Sequence, residues 1–156
     1  MVKCVKSQNG SSLIEVMVAL FVLAIGMLGV LAMQTRAIQM NQNSAQYSQA
    51  TTLAADIYEA MLTSPSSPGS YTINFDDAIP AAPACTASTS ECSPSQIAAW
   101  NKHHWLTNVQ NLLPGGEGQI EASGDKEYVI SIRFVTGYDK DTDEPVYEQV
   151  DLDVRI

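Results

Sequence analysis

Four groups of residues have types and spacings that chemistry can use. Glu15 sets a carboxylate near the start of an otherwise uncharged apolar run, where it can receive a cation. Cys85 and Cys92 lie close enough for a disulfide or for part of a metal site. His103 and His104 stand between Trp100 and Trp105, and imidazoles ligate metals and carry protons. Asp139, Asp141 and Asp143 alternate, as the first ligands of a calcium loop do.

Most of this chemistry fails on spacing. A calcium loop of the EF-hand kind needs Gly at its sixth position and Glu at its twelfth; counted from Asp139 these are Glu144 and Val150. A solvated acidic hairpin is the expectation for 139–144, with weak Ca²⁺ binding there a minor alternative. Neighbouring residues on a helix point about 100° apart, so His103 and His104 do not face one ligand; surface histidines beside packing tryptophans are expected. The two cysteines have no further thiol or ligand motif nearby, which favours a Cys85–Cys92 disulfide, formed in an oxidising compartment, over a metal pair. No nucleophile–base pair or phosphate-binding Gly loop is present. The expectation is therefore no catalytic residue, no cofactor and no metal, hence not an enzyme.

The 156 residues suffice for one modest folded unit plus an appendage. Much of the apolar 46% is concentrated between Leu13 and Met33, which marks the appendage. Net charge is −9; with Lys3 and Lys6 set aside, 6 basic face 17 acidic residues, a balance of −11. No direct nucleic-acid binding is expected, nor binding to anionic lipid heads through a basic patch.

From Val16 to Met33 no side chain is charged or strongly polar, and as a helix this stretch spans about 27 Å, close to a bilayer core of about 30 Å. Lys3 and Lys6 precede it, so the N-terminus is expected in the cytoplasm and the bulk outside. Ala32-Met33-Gln34 is a poor cleavage site, so the segment is expected to stay attached. Glu15 then has two readings. It snorkels at the headgroup boundary, or it pairs with a cation at the same depth, such as a newly made N-terminal amine. Such a pair at about 4 Å gains several kcal/mol at an intermediate dielectric.

Lys6-Ser7-Gln8-Asn9-Gly10, then Ser11-Ser12-Leu13-Ile14-Glu15 and about twenty apolar residues, resembles the class III leader of type IV pilins and pseudopilins. The resemblance implies cleavage by a prepilin peptidase between Gly10 and Ser11, N-methylation of Ser11, and a register role in assembly for Glu15 as the fifth mature residue. The family usually has Phe or Met where this chain has Ser11.

Beyond the run, no Pro or Gly occurs from Gln34 to Leu62, and Ala50, Leu53, Ala54, Ile57, Met61 and Leu62 recur at helical spacing. Ser64-Pro65 ends this amphipathic half, and Gly26 and Gly29 mark the expected bend or melted stretch. Residues 65–92 read as irregular, with a short strand at 71–75. Ser93, Pro94 and Gln96 form a capping box and open a second helix to about Leu113, with Ile97, Trp105, Val109, Leu112 and Leu113 on its apolar side. Alternation at 128–134 and 146–156 predicts two antiparallel strands, with 118–122 as a third. Pattern and resemblance agree on an α+β, type IV pilin-like fold: a long N-terminal helical spine packed on a small antiparallel β-sheet, with a second helix in the head. The parts are residues 1–10 (leader), 11–33 (transmembrane and assembly half), 34–63 (amphipathic half) and 64–156 (periplasmic or extracellular head).

Within this family, "SLIEVMVALFVLAIGMLG", "CSPSQIAAW" and "LLPGGEGQI" are similar to minor pilins of the type IV pilus modification kind. That implies a subunit held in the inner membrane before assembly and in the surface fibre afterwards, promoting initiation at or near the tip. The implied partners are other minor pilins and the major pilin through the N-terminal helix, a tip adhesin, and the prepilin peptidase. The alternatives are a minor pseudopilin of type II secretion and a signal-anchored periplasmic binding module.

Overall fold

A computed structural model describes residues 12–64, 67–87 and 91–156. The chain divides into two units, Met1–Gln42 and Asn43–Ile156. The leader residues, among them Gly10 and Ser11, lie outside the described residues.

Helix α1 runs Leu13–Thr63. In the first unit its large apolar side chains are exposed all round, from Leu13 at 78% to Met33 at 76%. Of the bend or melted stretch expected at Gly26 and Gly29, the melting is absent, because helix continues through both. Each glycine costs only about 1 kcal/mol of propensity, and the flanking Ala, Leu and Met are strong helix formers.

In the second unit α1 changes character, since Ala50, Leu53, Ala54, Ile57 and Met61 are buried along one stripe. Leu62, expected on that stripe, is 45% exposed. It follows Met61 by one residue and so points about 100° away.

The stripe shares its core with a three-stranded antiparallel sheet in the order β1–β2–β3, made of Glu117–Gly124, Glu127–Tyr138 and Pro145–Arg155. Alternation decides its faces. On β2 the even positions Tyr128, Ile130, Ile132 and Phe134 are buried, and Ile120 of β1 pairs with Ile130, which in turn pairs with Leu152 of β3. Each such side chain contributes about 1.5–3 kcal/mol when fully buried.

Helix α2, Pro94–Leu112, carries the expected capping box: the Gln96 amide N–H donates to Ser93 Oγ, and the Ser93 N–H donates to Gln96 Oε1. Its buried residues are Ala98, Trp105, Leu106 and Val109. Ile97 and Leu112 turn outward instead, at 36% and 54% exposure. Small Ala98 permits a close approach that bulkier Ile97, 100° round the helix, does not. Gly115 at φ +54° and Gly116 then end the element, and a Cβ on Gly115 would meet Val135 Cγ2 at 2.7 Å.

The segment 71–75 is not a strand. Pro68–Tyr71 forms a 3-10 turn, and only Ile73 bridges to Ile120. Thr72 Oγ1 donates to the Gly69 carbonyl, and the Asn74 amide N–H donates to Asp77 Oδ2. These local bonds compete with a ladder.

Candidate functional site

In the first turn of α1 the amide N–H groups of Glu15 and Val16 both donate to the Ser12 carbonyl, at 2.9 and 3.3 Å. Glu15 is the one acidic residue of that turn, next to the positive end of the helix dipole. Its side chain is exposed, like those of the apolar residues after it. Further along, Thr35 returns its hydroxyl proton to the Leu31 carbonyl, so even this polar side chain leaves no free donor. By length and composition α1 can cross a membrane. A helix apolar on every side has no single face to bury in a globular core, so it needs lipid or other helices around it.

In the head, Cys85 Sγ is bonded to Cys92 Sγ at 2.06 Å, with the Cα atoms 5.4 Å apart. The two histidines do not converge: their rings are 5.5 Å apart at 88°. His103 Nδ1 donates to the Pro80 carbonyl (2.8 Å), whereas His104 leans on Trp100 at 4.2 Å. In the hairpin, Asp139 Oδ1 accepts from the amides of Asp141 and Thr142, at 2.9 and 3.0 Å, which holds its carboxyl below the usual value. The first of the alternating acids thus serves the turn itself. Among the described residues no group of three or more His, Cys, Asp or Glu is arranged to hold a metal.

Sequence reasoning missed two clusters. Trp105 donates its indole N–H to the Leu53 carbonyl (2.9 Å), tying α2 to α1 inside the core. Arg133, an unremarked polar position of β2, is gripped by Glu117, lies 3.8 Å from Asp76, and stacks on Phe75 (4.3 Å) and Tyr147 (5.2 Å). Its position opposite Glu117 was available from strand alternation once the register was known; its aromatic partners were not. At the start of the second unit, Tyr47 packs edge-on to Phe134, and its phenol pKa is raised by hydrogen bonding to the Glu148 carboxylate, then by burial and by the Glu148 charge.

Nothing among the curated proteins and nothing among the solved structures matches the chain. Two family models do. The prokaryotic N-terminal methylation motif matches residues 5–31, and the model described as type IV pilin Tt1218 matches residues 32–102. The first covers the Gly10–Ser11 junction, Glu15 and most of the apolar run; the second covers the amphipathic half of α1, the cysteines and the start of α2. With a long N-terminal helix, a second helix and a small antiparallel sheet behind them, the chain is a type IV pilin-like protein.

Proposed function

We propose that the chain is a minor pilin that promotes initiation of type IV pilus assembly and is incorporated at or near the fibre tip. Residues 1–10 are its leader, removed by the prepilin peptidase after Gly10, and Ser11 becomes the methylated N-terminus. Residues 11–33 hold it in the inner membrane with the N-terminus cytoplasmic and the head periplasmic; the fibre then takes the helix out of lipid. Its partners are other minor pilins and the major pilin through the N-terminal helix, with a tip adhesin beyond them.

The observation that carries this reading is the first unit of α1, apolar on every side with a single carboxylate in its opening turn. Lipid suits the apolar surface, and so does a bundle of like helices. The carboxylate suits the bundle only in a register where a neighbour's N-terminal amine reaches it, since an unpaired charge in that setting costs several kcal/mol. The similarity of "CSPSQIAAW" and "LLPGGEGQI" to minor pilins supports the minor role. Replacing Glu15 by Ala is expected to abolish minor-pilin complex formation and lower piliation. Unchanged complexes and piliation in E15A overturn the register role. Normal pili with impaired exoprotein secretion in a deletion strain point to a type II pseudopilin instead.

A further inference from the structure

Between α1 and α2 the head carries a shallow depression of about 150 Å³, well below the roughly 300 Å³ at which pockets for drug-sized ligands begin. It has room for one ring. Trp105 forms part of its base, 4% exposed and with its N–H already used. Trp100 is different: it is 37% exposed, braced by His104, and its indole N–H has no acceptor among the described residues. Around it the Asp56 and Asn108 side chains make no hydrogen bond or ion pair among the described residues. Asn101 gives one amide hydrogen to Tyr71 Oη (2.8 Å) and keeps its carbonyl oxygen.

No Lys or Arg lines the depression, which disfavours phosphate, nucleotide and acidic sugars. What remains is a flat apolar face beside neutral amide donors and acceptors and one carboxylate acceptor. A polyhydroxylated ring presents the matching pattern, with one C–H face and a rim of hydroxyls. A cation over the single open face of Trp100 gains only about two- to fivefold in affinity at so exposed a site, and choline is therefore the competing ligand in the test. We infer that this depression binds a neutral pyranose, its C–H face on the Trp100 indole and its hydroxyls on Asp56 and Asn108. The inference goes beyond the assembly role and uses no residue of the N-terminal unit.

The test uses the full chain in a detergent without a sugar headgroup, titrated with glucose, galactose, mannose and N-acetylglucosamine. Intrinsic tryptophan fluorescence and saturation-transfer NMR report binding. At least one sugar is expected to saturate with Kd near ~1 mM, and W100A and D56N to weaken it at least about tenfold with unchanged circular dichroism. Should W100A misfold, D56N carries the comparison, because Asp56 is an exposed side chain with no partner to lose. Absence of saturation by any of the sugars, undiminished binding in D56N, or saturation by choline in their place overturns it. E15A, which tests assembly and lies outside the depression, is expected to leave sugar binding unchanged, which separates this outcome from failure of the assembly reading.

Discussion

Gly118 faces Trp105 so closely that a Cβ there would meet the indole Cη2 at 2.5 Å. The indole cannot retreat without giving up its bond to the Leu53 carbonyl. Gly118→Ala is therefore expected to cost about 1–3 kcal/mol, read from the midpoint of urea unfolding. Arg133 is the other single residue on which much converges. Its pair with Glu117, both about a third exposed, is worth about 0.2–1 kcal/mol, that with exposed Asp76 adds little, and stacking on Phe75 and Tyr147 adds about 0.5–1. R133A should lose about 1–2 kcal/mol, and R133K should recover less than half of it, since a lysine keeps the charge but not the planar stack. Neither residue was legible as important in the sequence. A glycine and an arginine in a strand carry no pattern that names Trp105 of α2, the loop residues Phe75 and Asp76, or Tyr147 of β3 as their partners. Cys85 and Cys92 were legible because two thiols close together in a Ser/Thr/Pro-rich stretch are an exception to its composition.

At the scale of elements, the capping box of α2 could be read directly, since Ser-Pro-x-Gln satisfies orphan amides by local bonds alone. The burial phase of α2 could not, because Ala98 is less hydrophobic than Ile97 yet is the residue that fits. The strand expected at 71–75 failed for a related reason: its apolar residues anchor it to the core at Tyr71 and Ile73, while side-chain bonds of Thr72 and Asp77 hold the backbone in turns. Two perturbations test elements as units. Cys85 and Cys92 are 7 positions apart, and opening so short a loop by C85S/C92S should cost about 2.5 kcal/mol through the unfolded chain. The β2–β3 turn is held by amides donating to Asp139, whose folded pKa is lowered. That stabilisation is complete above about pH 3.9 and drains as pH falls through the lower folded value. D139A should thus unfold at lower urea than the parent at neutral pH, and the two should converge in acid.

For the whole molecule, the two units obey different rules. The unit Asn43–Ile156 buries an alternating sheet and a helical stripe, as any small α+β domain does. The unit ending at Gln42 keeps its apolar side chains outward and depends on a membrane or a bundle. That division explains why chain length and the concentration of apolar residues between Leu13 and Met33 suggested a folded unit and an appendage before any element was placed. Everything proposed about assembly follows from processing at the Gly10–Ser11 junction, which frees the amine that Glu15 is to meet. Mass spectrometry of the mature N-terminus of the native protein tests this most directly. The account predicts a chain that begins at Ser11 and carries one added methyl group; an intact Met1, or a chain starting after Met33, would contradict it.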